Sequence, residues 1–311
     1  MTLSRPVRAT LFASALLVAL GAGAAALAHE DPDLQVDEVT RSLALRPDDA
    51  ALRLRRADLH RLRGDWSAAV ADLQEARRLD PELALVDFTL AQVLFGADNP
   101  NPALDAVDRF LVRRPEHGAA HLLKARILAR LGSSAQAVEE FSRGIALSKG
   151  QGKGGQPDDY LERARLQACS GNSRDGISAA IRGLDVGAAE LGGAVTLQLR
   201  AVELEIRREH WDEALARLAV LEAKAHRKEQ WMARRAEVLA LAGRRDEARQ
   251  AATAALAAID ALPAHQRDSR TTAALASGLR RQLSDDTSST AGPRPVLLSR
   301  ETDCPAPPAA L

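Results

Sequence analysis

Pro47, Pro81 and Pro115 stand 34 residues apart, twice in succession. A fixed period in the thirties constrains a fold more than any composition does. Each period is one supersecondary unit, and it buries its apolar face only against its neighbours. The spacing predicts an array of helical hairpins. Composition enters as a check on that reading. Of the 311 residues 46% are hydrophobic and only 3% aromatic, so alanine and leucine must fill the interior, and both are strong helix formers. β-branched residues are sparse and no long stretch alternates with period two, which predicts an all-α protein.

Read from the prolines, each unit shows an apolar-periodic helix, a short turn and a second helix. A small residue recurs in the first helix at Ala57, Ala91, Ala125, Ala164, Ala201 and Ala236. Another recurs in the second at Ala69, Ala103, Ala137, Gly176, Ala214 and Ala248. Four residues on come Leu73, Val107, Phe141, Ala180, Leu218 and Ala252. Two antiparallel helices approach closely only where a small side chain sits at their crossing, and the residue one turn further fills the next interface. The turns carry Gly64, Asp98, Gly132, Gly171 and Gly243.

On these residues the chain resembles tetratricopeptide repeat proteins, over about residues 47 to 262. Repeats one and three carry the resemblance best, through Ala57, Gly64-Asp65-Trp66, Ala69, Leu73 and Pro81, and through Ala125, Gly132, Ala137 and Phe141. The resemblance implies a right-handed superhelical solenoid of about six antiparallel helix-turn-helix repeats, with capping helices at both ends. It departs from the family pattern in several places. The tryptophan of the first helix is absent, and its places hold Arg53, Asp87, His121, Tyr160, Leu197 and Met232. The closing proline fails after Pro115. Pro100 and Pro102 fall in the turn of repeat two, so its second helix is expected to start late, with Pro102 near the first helical position. Residues 148–156 form an insertion, expected as a flexible surface loop, without the order of a phosphate-binding loop.

Residues 1–28 are a different kind of sequence. Arg5 and Arg8 precede the apolar run from Leu11 to Leu20, and Ala26-Leu27-Ala28 follows as a cleavage site. This is the pattern of a secretory signal peptide, so the chain is expected to be exported, to a periplasmic or extracellular location. The alternative is an uncleaved inner-membrane anchor over residues 9–28, which just reaches spanning length. The remaining organisation reads as an acidic leader and capping helix over 29–46, repeats over 47–262, a capping helix over 263–284 and a disordered Pro-rich tail over 285–311. Within the tail Val296-Leu297-Leu298 is a short sticky segment. Cys169 is expected as a small buried hydrophobe and Cys304 as a loose tail thiol, although oxidising conditions leave a bridge open.

No constellation for catalysis emerges. The histidines His60, His117, His121, His210, His226 and His265 show no metal-ligand spacing, and neither cysteine sits in a nucleophile motif. Basic and acidic residues balance at 42 each, against the basic excess of a nucleic-acid binder. The chain therefore reads as a non-catalytic scaffold without cofactor or metal, holding a protein or peptide partner. The alternative is a small-ligand or metal carrier, or an enzyme accessory protein, that uses the superhelix cavity.

In the proteins this chain resembles, the first helices line the concave side. That mapping gives Leu54 and Asp58; Phe88, Gln92 and Phe95; Leu122 and Arg126; Leu161 and Arg165 as candidate groove residues. Arg126 and Arg165 occupy equivalent places and are expected to share one acidic group of the partner. Phe88 and Phe95 have a competing reading as core, because Asp87 leaves their repeat without its usual large residue. Glu162 lies three residues before Arg165, whereas Arg126 has no acid three or four residues away on either side.

Overall fold

The computed structural model describes residues 32–152, 155–169 and 174–285. Fifteen α-helices account for the ordered elements, and no strand occurs among the described residues. The chain divides into two compact units at Arg113 and Arg114.

The first unit holds α1 (Pro32–Leu45), α2 (Ala50–Arg63), α3 (Trp66–Leu79), α4 (Leu85–Gly96) and α5 (Pro100–Arg113). Helices α2/α3 and α4/α5 form two hairpins, and α1 packs on α2. Val36, Val39 and Leu43 of α1 meet Leu59 in a shared apolar cluster. Asp49 starts α2 by accepting a hydrogen bond from the Leu52 amide at 3.0 Å, and Asp65 starts α3 by accepting one from the Ala68 amide at 3.2 Å. Each acid satisfies an amide that the first helical turn leaves without a partner.

The second unit continues the hairpin pattern. It holds α6 (Gly118–Arg130), α7 (Ser134–Gly150), α8 (Pro157–Cys169), α9 (Arg174–Glu190), α10 (Val195–Arg207), α11 (Trp211–Lys224), α12 (Glu229–Leu241) and α13 (Arg245–Asp260). The short α14 (Ala264–Arg267) leads into α15 (Arg270–Asp285), which packs on α12 and α13. Ala276 and Leu279 of α15 join Ala233, Ala236 and Ile259 in one cluster.

All six small residues of the first helices are buried to 1% exposure or less. In the second helices Ala69, Ala103, Ala137, Ala214 and Ala248 are buried to 2% exposure or less, while Gly176 is half-buried. The turns require a left-handed residue between the two helices of a hairpin. Gly64, Gly132 and Gly243 supply it at φ 74°, 79° and 75°. Asp98 and Glu209 take the same role at φ 60°. A short acid visits this region readily, whereas Glu209 is strained there, and its place in the repeat carries no glycine to betray it.

Three expectations need correction. Helix α5 begins at Pro100, so Pro100 rather than Pro102 takes the first helical position, where a missing amide is harmless. Helix α7 runs on to Gly150, so Ser148 to Gly150 are helical and Ser148 is buried. Cys169 is half-buried and disulfide-bonded rather than a buried free thiol. The signal-peptide pattern of residues 1–28, the tail after residue 285 and Gly171 lie outside the described residues.

Candidate partner-binding face

The nine candidate groove residues divide between the two units. In the first, Leu54 and Asp58 lie on α2, and Phe88, Gln92 and Phe95 on α4; all five are half-buried. Asp58 pairs with Arg61 one turn along, at 2.8 Å. Phe88 is a core-side residue, its ring 5.1 Å from that of the fully buried Phe110. Phe95, two turns beyond it, keeps part of its surface in solvent.

In the second unit Leu122 departs from expectation. It is 8% exposed and presses on the backbone of α7: a Cβ added at Gly144 would lie 2.8 Å from its side chain. Leu122 thus closes the α6/α7 hairpin instead of lining an open stripe. Arg126 is 43% exposed, and its Nη2 donates to Asp159 Oδ1 at 2.6 Å. Asp159 is fully buried at the start of α8 and also accepts from the Gln156 amide at 3.1 Å. The acid that sequence spacing failed to find for Arg126 comes from the next repeat, 33 residues on. Arg165 pairs with Glu162 through Nε and Nη2 at 3.2 and 2.9 Å. The two arginines therefore hold separate carboxylates of the chain itself, and the expected sharing of one foreign acid starts against two existing ion pairs. Leu161, one turn before Arg165, is half-buried.

The places of the missing tryptophan explain what the sequence left obscure. Four of them are polar, and each ties its helix to the second helix of its hairpin. Arg53 reaches Asp72 at 3.6 Å and donates twice to the Pro47 carbonyl. Asp87 accepts from Arg109 at 3.0 Å. His121 meets Glu140 at 2.6 Å through Nδ1 and the Pro115 carbonyl at 2.9 Å through Nε2. The Tyr160 hydroxyl donates to Glu190 at 2.7 Å. Leu197 at the fifth place is fully buried, and Met232 at the sixth packs against the last cluster. Hydrogen bonds, and for Arg53 an ion pair, thus replace the packing of a large ring within the hairpin.

Electrostatics follow the same contacts. Burial alone would raise the Glu140 carboxyl, but hydrogen bonds from His121 and Lys124 outweigh it and hold the group below the usual carboxylate range. Burial, reinforced by the bond to Glu190, pushes the Tyr160 phenol up to about 12. No group of three or more metal-ligating side chains occurs among the described residues. His117 is instead the start of α6, where its Nδ1 accepts from the Ala120 amide at 3.2 Å.

A tetratricopeptide repeat family model matches residues 88–151, across the hairpins α4/α5 and α6/α7. Among solved structures, the C-terminal part of a TPR repeat-containing protein from Cytophaga hutchinsonii is similar, with a TM-score of 0.55 at 12% identity. That likeness covers 76% of this chain and 93% of the other, and it shows the fold. The chain is thus an all-α array of helical hairpins, in which residues 88–151 match the tetratricopeptide repeat. Among curated proteins, the "Protein SGT1 homolog" of Bos taurus is 41% identical over 56 residues, 18% of this chain and 17% of the relative. The Homo sapiens protein of the same name is 41% identical over the same length, 15% of its own. The chain spans under a fifth of the length of these relatives, so the match concerns the repeat alone.

Proposed function

We propose that this chain is an exported, non-catalytic scaffold of the cell envelope that docks a protein or peptide partner on the exposed faces of its first helices. Tetratricopeptide repeats are a protein-interaction architecture, and that single observation carries the reading. In the first unit the half-exposed Leu54, Gln92 and Phe95 offer apolar and amide surface for a peptide. Arg126 uses one nitrogen for Asp159 and retains donors for a second acceptor.

Export is supported by the tripartite pattern of residues 1–28 and by the disulfide at Cys169, a bond that persists mainly in oxidising compartments. N-terminal sequencing of the protein recovered from the envelope tests this part. A chain beginning at His29 supports export with cleavage; an intact Met1 in the membrane fraction overturns the cleavage. The docking part is tested by crosslinking in cells, followed by quantifying the captured proteins for the wild type and for a Leu54→Arg, Gln92→Arg variant, both changes lying in the first unit. Loss of one captured protein at unchanged melting temperature supports the face; an unchanged set overturns it.

A further inference from the structure

One place recurs across the hairpins with a charge pair of its own. It lies one residue before the small residue of the first helix and three after that of the second. In α2/α3 it joins Arg56 to Asp72, whose two oxygens accept from Nε and Nη2 at 2.7 Å each. In α6/α7 it joins Lys124 to Glu140 at 3.2 Å. In α4/α5 both members are apolar, Leu90 and Ala106. In α8/α9 the cation is kept, as Arg163, and the acid is replaced by Ala179.

Arg163 is nonetheless held at a defined spot. Its Nη2 donates to the Gly183 carbonyl at 3.3 Å, and its guanidinium lies 5.5 Å from the centre of the Tyr160 ring. Gly183 leaves room for it, since a Cβ there would lie 2.8 Å from Nη2. Nε, the nitrogen that Arg56 uses on Asp72, is buried and without a hydrogen-bond partner. Among the described residues no carboxylate pairs with this guanidinium. Burial pushes the group below the usual arginine range. A half-buried cation without a counter-charge is unfavourable, and the apolar pair of α4/α5 shows that the hairpin does not need one. Arg235 of α12 holds the same place with Ala251, but it is exposed and water solvates it.

Arg163 is two residues from both Leu161 and Arg165, so it projects from another side of α8 than they do. Beside it on α9, Ala179 and Gly183 are small and half-buried, and Val186, one turn on, is 54% exposed. We propose that Arg163 anchors a carboxylate side chain of a protein or peptide partner, which takes the place that Asp72 and Glu140 fill in their own hairpins, with Val186 as the neighbouring apolar contact. The chemical class follows from the equivalents, since both are carboxylates. The carrier follows from affinity: one charge-assisted bond alone gives binding weaker than about 1 mM, so the acid must arrive with further contacts. The carrier rests on the partner reading above, whereas the carboxylate site does not.

The site is tested on the full chain without a partner. Ala179→Asp supplies the acid from within, and Ala179→Asn is its neutral isostere. The aspartate variant should melt at the higher temperature of the two, and adding Arg163→Gln to both should abolish the difference. Equal melting temperatures, or a lower one for aspartate, overturn the proposal. Acetate is then titrated against chloride at matched ionic strength, following the guanidinium nitrogen resonance that Arg163→Lys removes. A saturable shift with acetate that is lost in Ala179→Asp is expected. No shift, an equal shift with chloride or tighter binding of phosphate overturns the carboxylate site. The capped peptide leucyl-aspartyl-leucine tests the carrier: it should bind more tightly than acetate and lose that advantage in Val186→Ser. Affinity no better than that of acetate overturns the polypeptide carrier.

Discussion

His121 Nδ1 lies 2.6 Å from Glu140 Oε2, across the hairpin of α6 and α7, in a ring that is 3% exposed. The other nitrogen faces the Pro115 carbonyl, the last link to the preceding repeat. One imidazole therefore joins both helices of the hairpin and the turn before them. Replacing it with alanine removes both contacts from the buried side of the hairpin and should destabilise the protein by about 1–3 kcal/mol. Urea melts of His121→Ala check this; an unchanged midpoint would deny the bond its structural role.

The carboxyl on the other side of this contact gives a pH dependence. Glu140 is held below its ordinary range in the fold, so it binds a proton more readily when unfolded. Its contribution is present above the unfolded value of about 4.3 and is lost as pH falls through the lower folded value. His121→Gln removes one of the supports of the charged form. The variant should begin acid unfolding at a higher pH than the wild type, by circular dichroism along a pH series. Coincident acid limbs would contradict the assignment.

Tyr160 offers a spectroscopic reading, because it is the single tyrosine of the chain. Its ring fits between two glycines: a Cβ at Gly155 would lie 2.6 Å from it and one at Gly187 2.5 Å. With the phenol pushed up to about 12, the folded state favours the neutral hydroxyl. That stability is complete below the unfolded value of about 10 and is lost as pH rises towards 12. Phenolate absorbance should stay absent at pH 10 and rise only with alkaline unfolding. A transition near pH 10 in the folded protein would contradict the buried bond to Glu190. Gly187→Ala should cost about 1–3 kcal/mol by forcing the ring aside.

The crossing residues test the repeat register. Ala57 and Ala137 have no exposed surface, whereas Ala51 on α2 is exposed. Ala57→Leu and Ala137→Leu should each cost about 1–3 kcal/mol by overpacking, and Ala51→Leu should stay within about 0.5 kcal/mol. Equal urea midpoints for all three would remove the physical meaning of the small-residue spacing.

Much of the fold was legible because alanine at a crossing and glycine in a left-handed turn are set by local geometry. Ala125 with Ala137, and Gly64 with Gly132, announce their hairpins within a short stretch of chain. The helix start at Pro100 and the helix end at Gly150 are hidden from local pattern, because a proline at a first helical position and a glycine in a last turn obey neighbours as much as propensity. The candidate face was less legible. Helical spacing shows that Leu122 and Arg126 share a face, but it does not show that Leu122 meets Gly144 or that Arg126 meets Asp159. Such contacts join residues about one repeat apart, where no local pattern reaches. Asp87 and His121 looked like lost tryptophans, and only their partners Arg109 and Glu140 show them as replacements.

Arg126 separates scaffold from recognition. Its bond to buried Asp159 means that Arg126→Ala leaves an uncompensated carboxylate and should lower stability. Arg126→Lys keeps the charge and loses the planar fork, so it should restore most of the stability. Thermal melts of both variants check the order: alanine lowest, lysine between, wild type highest. Equal melting temperatures would show that the ion pair contributes nothing to the fold.

The most direct measurement is the affinity of the captured partner for wild-type protein and for the Leu54→Arg, Gln92→Arg variant, by titration calorimetry with melting temperatures taken in parallel. Docking on the first-helix faces requires at least about a tenfold loss of affinity, some 1.4 kcal/mol, at unchanged melting temperature. Equal affinities for the two proteins would place the partner elsewhere and contradict the scaffold face described above.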